Sequence, residues 1–183
     1  VKGERTGVND LMSWNADSTR MAYRMHTDYL HQLYLNNDLA EGRYVANGEP
    51  QSLSDVTVPM FVVGTETDHV APWRSVYKVG KLVRSTDYTF CLTSGGHNAG
   101  IISGPQHPKR RHRVHTTKAG ARLLPPQKYL EKVEPTPGSW WPTWAKWLEE
   151  RSSPRKVAPP AMGAPTQKLK PLGPAPGTYV LER

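Results

Sequence analysis

The sequence is poor in cysteine and in long apolar runs, and these shortages limit the classes of protein to which it can belong. One cysteine among 183 residues excludes an internal disulfide framework. No run of about 18 apolar residues predicts a transmembrane helix, and no segment resembles a signal peptide. We therefore expect a soluble, cytoplasmic protein. Because the chain begins with Val1 rather than Met, we also expect it to be part of a longer protein.

Acidic residues are scarce relative to basic ones, which leaves a formal net charge of +8. This excess suits nucleic acid, an anionic surface or an anionic substrate such as a coenzyme A ester, and it selects none of them. The stretch PKRRHRVH at 108–115 is predicted to be a basic loop. Because no nucleic-acid-binding motif or interleaved aromatic residues accompany it, we favour a solvated or substrate-steering loop and expect no nucleic-acid partner.

The first part of the chain shows helical periodicity. Apolar side chains recur at helical spacing through residues 11–41 and predict an amphipathic helical segment. Ser18 or Thr19 is a candidate cap, and the pair Asn36-Asn37 is expected to loosen the helix end.

Turn-forming residues follow the helical segment, and residues of low periodicity end the chain. Asn47-Gly48 lies between the segments RYVA and EPQSL, which predicts a hairpin or an irregular connector within residues 43–55. Residues 154–183 are rich in Pro, Gly, Ala and Lys and are predicted to be largely disordered.

The middle of the chain has the pattern of an α/β fold. The apolar runs VPMFVVGT (58–65) and DYTFCLTS (87–94) have strand length and predict parallel strands that are buried on both faces. Pro72 is expected to open a helix between them, with an inner stripe of Val76, Val79 and Val83. Strand, helix and strand in this order predict a right-handed parallel crossover.

A titratable side chain follows each of these two strands. Asp68 comes after the first apolar run and His97 after the second. Since reactive groups in α/β sheets lie beyond the carboxyl ends of the strands, the two residues are candidates for the acid and the base of a catalytic triad. The alternative is structural: Asp68 caps the following helix or solvates a loop, and backbone groups satisfy His97.

A nucleophile is missing from the expected position. The order nucleophile, acid, base places it before Asp68, yet no G-x-[S/C]-x-G elbow occurs in residues 1–67. Ser13 and Ser18 lack the flanking glycines. Cys91 lies within the second predicted strand, after the acid, and we expect it to be a core residue.

Near the carboxyl end, the segment GSWWPTWAKWLEERSS at 138–153 predicts another helix, which Ser139 could cap. Aromatic residues at helical spacing usually bury area, so we expect core packing rather than a polymer-contacting surface. The predicted inner stripe consists of Trp141, Trp144, Trp147 and Leu148.

Several of these segments together resemble one family, the polyhydroxyalkanoate (poly-3-hydroxybutyrate) synthases, over its C-terminal portion. They are WNADSTRM, NNDLAEGRY, VPMFVVGTETDHVAPWRSVYK, TFCLTSGGHNAGII and GSWWPTWAKWL, which occur in the same order. The resemblance implies an α/β-hydrolase core with an inserted cap and a Cys-Asp-His triad. Asp68 and His97 match the family's catalytic Asp and His, whereas its catalytic Cys has no counterpart here.

The resemblance also implies a domain organisation. Residues 1–47 would be the end of the cap and a connector, residues 48–153 the C-terminal half of the hydrolase core, and residues 154–183 the tail. Trp14 and Asn15 would lie near the substrate entrance.

The implied activity is acyl transfer from a 3-hydroxyacyl coenzyme A to a growing polyester, in the cytoplasm at the polymer granule surface. The implied partners are this substrate, the polyester, the granule, and a second copy or a missing N-terminal half. We expect no cofactor and no metal, because the spacing of His107, His112 and His115 does not match a zinc site. Two alternatives stay open: another hydrolase, such as a thioesterase or depolymerase, and a non-catalytic remnant that binds a synthase or a granule.

Overall fold

A computed structural model describes residue 7 and residues 9–17, 20–175, 177–178 and 181. The chain divides into two compact units, residues 1–142 and residues 143–183. No helix in the described ranges is long and apolar enough to cross a membrane.

The predicted helical segment at 11–41 is helical but interrupted. It contains α1 (Asp10–Ala16) and α2 (Tyr23–Tyr29), and α2 continues as one π-helical stretch, Leu30–Leu35. The Asn9 side chain accepts a hydrogen bond from the backbone N–H of Met12 and so caps α1. The candidate caps Ser18 and Thr19 lie outside the described residues.

The apolar side chains of α2 are not covered in the structure. None of its described side chains is buried, and Met25 is 62% exposed. The prediction for the Asn pair is confirmed, because the helical stretch ends at Leu35, Asn36 is its cap and Asn37 has a positive φ of 53°. Asparagine tolerates this left-handed conformation better than most residues.

The predicted hairpin is confirmed. Strands β1 (Tyr44–Ala46) and β2 (Glu49–Gln51) pair antiparallel around the two-residue turn Asn47-Gly48. Both turn residues have positive φ, 52° and 83°. A tight hairpin turn needs this conformation at both central positions, and Asn-Gly supplies it at little cost.

The main sheet has four strands in the order β3-β4-β5-β6. Strands β3 and β4 are parallel, with pairs running from Met60↔Tyr88 to Thr65↔Thr93, as predicted for the two apolar runs. Strands β5 and β6 are antiparallel to their neighbours, so the sheet is mixed rather than parallel throughout. The strands are β3 (Met60–Thr65), β4 (Asp87–Thr93), β5 (Arg111–Lys118) and β6 (Thr136–Pro137).

Strand β5 corrects the prediction of a basic loop at 108–115. Seven of its eight residues, His112–Lys118, pair with the whole length of β4, and the His112 side chain is 5% exposed. The many basic residues of this segment gave no strand pattern in the sequence. Which of its side chains face inward is decided by the pairing of β5 with β4. Thr89 and Thr116, opposite each other on β4 and β5, also share a hydrogen bond of 2.9 Å between their hydroxyls.

The connection from β3 to β4 runs through α3 (Trp73–Tyr77) and a single 3₁₀ turn (Lys78–Lys81). Pro72 immediately precedes α3, as predicted. Gly64 allows α3 to approach the sheet closely, since a Cβ there would lie 3.1 Å from both Trp73 and Phe90. The predicted valine stripe is confirmed, because all three members pack against the core: Val76, Val79 and Val83.

The core is largely aromatic. Its centre includes Tyr77 and Phe90, whose ring centroids lie 4.7 Å apart in an edge-to-face arrangement. Tyr129, from α4 (Pro126–Lys132), is fully buried, and its hydroxyl donates to the carbonyls of Phe90 and Arg113. Through these hydrogen bonds, the buried Tyr129 side chain connects α4 to strands β4 and β5.

The tryptophan stripe is a second correction. Helix α5 (Trp141–Glu149) forms, and Ser139 accepts a hydrogen bond from the backbone N–H of Trp141, as expected of a cap. The stripe is not core, however. Trp141, Trp144 and Leu148 are 38%, 41% and 39% exposed, and the fourth member, Trp147, is only partly buried. The buried tryptophan is Trp140, at 7% exposure, which precedes the helix. Helical periodicity groups side chains on a face but does not show that anything covers that face.

Candidate active site

The carboxyl ends of β3 and β4 hold their loops side by side. The pairing of the two strands continues beyond Thr65, because Glu66 donates its backbone N–H to Thr93 and Thr67 donates to Gly95. These two hydrogen bonds align the loop that carries Asp68 with the loop that carries His97. The predicted meeting point of the two residues therefore follows from parallel pairing.

Asp68 is held by its own loop. One carboxylate oxygen, Oδ1, accepts the backbone N–H groups of Val70 at 2.9 Å and Ala71 at 2.8 Å, and the other, Oδ2, accepts the Thr65 hydroxyl at 3.3 Å. The side chain is 7% exposed. The Ala71 N–H lowers the pKa of Asp68 to about 2, with further contributions from His97 and the Val70 N–H, against the opposing effect of burial.

His97 completes the pair. Its Nδ1 lies 3.0 Å from Oδ2 and 3.2 Å from Oδ1 of Asp68. Because the ionised carboxylate can only accept hydrogen bonds, Nδ1 carries the proton and donates it. In the neutral ring this leaves a lone pair on Nε2, as a general base requires. The imidazole is 45% exposed, so solvent and small molecules have access to it.

The Asp68 carboxylate makes two kinds of contact, so the structural and the catalytic interpretations are compatible, and the catalytic one stays a prediction. The carboxylate closes the turn before α3 through two backbone amides, and it also orients an imidazole. A carboxylate has enough acceptor sites for both tasks. The turn fixes the carboxylate in place and thereby defines the position from which it holds His97.

The loop of His97 depends on two glycines. Gly95 has a φ of 109°, which favours glycine. A Cβ on Gly100 would lie 2.6 Å from the Thr65 side chain, so the end of β3 and this loop approach too closely for a larger residue. The GGHNAG segment, which contains His97, therefore packs tightly against the end of β3, the strand that precedes Asp68.

Cys91 is not placed to act as a nucleophile. It is 0% exposed within β4, and burial raises the pKa of its thiol to about 12. A thiolate is the reactive form of cysteine, and this environment suppresses it. The prediction of a core role is confirmed.

Trp14 and Asn15 are not joined to the pair. Both lie on α1; the Trp14 side chain is 62% exposed, and that of Asn15 lies outside the described part of the structure. No hydrogen bond, ion pair or ring contact of the described residues joins Trp14 to Asp68 or His97. Their role at a substrate entrance stays a prediction.

The basic segment contributes structural contacts that the sequence did not reveal. Arg111 pairs with Glu66 at 2.6 Å across the ends of β5 and β3, and His112 Nδ1 lies 3.0 Å from the Gly138 carbonyl oxygen. Arg110 lies against the loop of His97. Within the described ranges, no group of three or more His, Cys, Asp or Glu residues could hold a metal ion.

The sequence is similar to poly(3-hydroxyalkanoate) polymerases from several bacteria. It is 38% identical over 183 residues to the poly(3-hydroxyalkanoate) polymerase subunit PhaC of Rhizobium etli, which is 100% of this chain and 28% of that protein. It is 40% identical over 181 residues to the poly(3-hydroxyalkanoate) polymerase of Methylorubrum extorquens, covering 98% of this chain and 29% of the relative. It is also 32% identical over 181 residues to the PhaC subunit of Cupriavidus necator, with 98% and 30% covered.

The chain thus spans less than a third of the length of these relatives, 28% to 30%. No family profile matches the chain.

Proposed function

We infer that this chain, a homologue of the poly(3-hydroxyalkanoate) polymerases over its whole length, supplies the acid and the base of an acyltransferase that joins 3-hydroxyacyl groups into a polyester. The observation that carries the proposal is the hydrogen bond between Asp68 and His97, with Nδ1 donating to the carboxylate. Nε2 is then the atom that accepts and returns protons.

The proposed reaction transfers an acyl group twice. His97 removes the proton from a cysteine thiol outside this sequence, and the thiolate attacks the thioester carbonyl of a 3-hydroxyacyl coenzyme A. Coenzyme A leaves as a thiol after taking the proton from the imidazolium. The hydroxyl of a chain end then gives its proton to His97 and attacks the acyl-enzyme, which forms the new ester and releases the cysteine. Asp68 stabilises the imidazolium in both halves or helps to activate the hydroxyl.

We propose that the mixed sheet is the C-terminal part of an α/β-hydrolase fold. Strand β3 supports this, because in the described chain it pairs only with β4 although its residues Met60–Val63 are apolar and point to both faces. An apolar strand of this kind is typical of the interior of a parallel sheet, and its free edge can accept another strand. We propose that the missing N-terminal half of the enzyme covers it.

The proposal extends to the surroundings of the enzyme. We place it in the cytoplasm at the surface of the polymer granule, possessing no cofactor and working either with the N-terminal half or as a homodimer. Two further functions compete: a thioesterase or depolymerase built on the same pair, and a non-catalytic partner of a synthase. For the isolated chain, the burial of Cys91 favours the non-catalytic partner, because the chain's one thiol is not accessible as a nucleophile.

The test is to supply the N-terminal half, fused or co-expressed, from a relative such as the Rhizobium etli polymerase, and to measure coenzyme A release and polymer from 3-hydroxybutyryl coenzyme A. We expect the chain alone to be inactive and the complemented enzyme to make polymer. His97→Gln should remove most activity, because among the residues that the structure describes His97 is the base that contacts the Asp68 carboxylate. Release of coenzyme A without polymer would indicate a thioesterase instead.

The matched control is His69→Gln, which changes an exposed histidine next to Asp68. We expect it to keep the activity. If His69→Gln abolished turnover and His97→Gln spared it, the base would be wrongly assigned. Turnover by the isolated chain that disappeared in Cys91→Ala would overturn the proposal that the nucleophile lies outside this sequence.

A further inference from the structure

The loop that carries His97 is held from outside by side chains that the proposed reaction does not use. The carbonyl groups that follow His97 point to donors on two other segments. Trp140 Nε1 donates to the Gly100 carbonyl at 3.2 Å, and Trp141 Nε1 donates to the Ile101 carbonyl at 2.8 Å. Carbonyls at the end of a turn lack backbone partners, and side-chain donors can satisfy them.

Arg110 makes the most extensive of these contacts. Its Nε donates to the Ser103 hydroxyl at 2.7 Å, and its Nη2 donates to the Ala99 carbonyl at 2.9 Å. Its Nη1 lies over Gly95, within 2.8 Å of the position that a Cβ on that residue would occupy. One half-buried arginine side chain therefore donates hydrogen bonds to the middle and the end of the loop 95–103 and lies close to its beginning.

Ser103 makes the contact with Arg110 specific. It is 3% exposed, and its hydroxyl donates to the Ala99 carbonyl while it accepts from Arg110. Its own carbonyl accepts the Ser139 hydroxyl at 2.6 Å. The geometry requires a planar group with two parallel donors, which arginine has and lysine lacks.

We propose that Arg110 is a positioning residue for His97: by bridging the Ser103 hydroxyl and the Ala99 carbonyl it fixes the loop so that Nδ1 stays against the Asp68 carboxylate. The effect on turnover rests on the proposed function, whereas the effect on the imidazole does not. Without the bridge, the loop has fewer contacts that hold the ring, and His97 samples the Nε2–H tautomer, which is common in solution and cannot act as a base at Nε2.

The experiment measures the His97 tautomer in the 183-residue chain by ¹⁵N chemical shifts of the histidine rings, with His97→Gln identifying the signals. Arg110→Gln should lower the ratio of Nδ1–H to Nε2–H tautomer by about fivefold, the scale expected for loss of a hydrogen bond or two. The amides of Gly100, Ile101 and Ile102, which close the turn after His97, should exchange faster with solvent. Lys109→Gln removes the same charge one residue away and should change neither quantity.

Two further variants separate geometry from charge and from misfolding. Arg110→Lys keeps the charge but makes one contact where arginine makes two, so we expect a ratio between those of the native chain and Arg110→Gln. Full restoration by lysine would overturn the bridge in favour of simple electrostatics. Ser103→Ala should shift the ratio in the same direction, and it decides the matter if Arg110→Gln does not fold.

A tautomer ratio that Arg110→Gln and Ser103→Ala leave within about twofold of the native value would show that Arg110 does not position His97. This outcome is independent of the acyltransferase proposal. If the ratio shifts so far that Nε2–H becomes the main form but the complemented enzyme keeps its turnover, Arg110 still positions His97 and the assignment of His97 as the base is wrong.

Discussion

Replacement of Asp68 by asparagine should reverse the hydrogen bond to His97, and the structure shows why. Oδ1 accepts two backbone N–H groups, from Val70 at 2.9 Å and Ala71 at 2.8 Å. If the asparagine NH₂ group stood at the Oδ1 position, its two N–H donors would face the N–H donors of Val70 and Ala71. We therefore expect the asparagine oxygen to occupy the Oδ1 position. Its NH₂ then takes the place of Oδ2, which lies 3.0 Å from His97 Nδ1.

The consequence is a base in the wrong tautomer. The asparagine NH₂ donates to Nδ1, which moves the ring proton to Nε2 and removes the lone pair there. The variant also loses the negative charge that stabilises the imidazolium. Losing the carboxylate of such a unit lowers kcat by about 10⁴-fold in a serine protease, and we expect a loss of about 10³ to 10⁴ here.

Two assays test this prediction. ¹⁵N shifts of the isolated chain should change from Nδ1–H to Nε2–H for His97, and coenzyme A release by the complemented enzyme should fall as stated. The variant that combines Asp68→Asn with His97→Gln should have a turnover little lower than that of His97→Gln alone, because we expect the two residues to act as a unit. If Asp68→Asn retains Nδ1–H and loses less than about tenfold in turnover, the carboxylate does not orient the base.

Three other outcomes are expected. The pKa of Asp68 falls from 3.8 to about 2 on folding, so its contribution to stability is present above 3.8 and disappears as the pH drops towards 2; urea unfolding over that range should lose this part of its pH dependence in Asp68→Asn. Cys91 is 0% exposed with a thiol pKa of about 12, and it should react with a thiol reagent only on unfolding; rapid labelling of the folded chain would contradict its burial. Gly64→Ala places a Cβ 3.1 Å from Trp73 and should cost about 1–2 kcal/mol of unfolding free energy in thermal or urea melts, whereas Gly173→Ala, which meets open space, should be neutral; equal effects would refute the steric argument.

Local chemistry made several features predictable from the sequence. Asn47-Gly48 specified the hairpin, because only residues that accept positive φ form its turn. The two apolar runs specified β3 and β4, since continuous apolar strands pair in parallel with a helix between them. Parallel pairing places Asp68 and His97 at one edge of the sheet, and the sequence alone was enough to predict that these two side chains meet.

Other features were decided by contacts distant in the chain. The basic segment forms β5 because it pairs with the edge of β4. The sequence did not predict this pairing, because the segment lacks an apolar strand pattern. The stripe on α5 stayed exposed, whereas Trp140 was buried against the loop of His97. Arg110 lies beside Ser103 because the chain enters β5 at the next residue, close to the loop of His97. Periodicity and turn chemistry act over a few residues, whereas which surface covers a strand or a helix depends on tertiary packing.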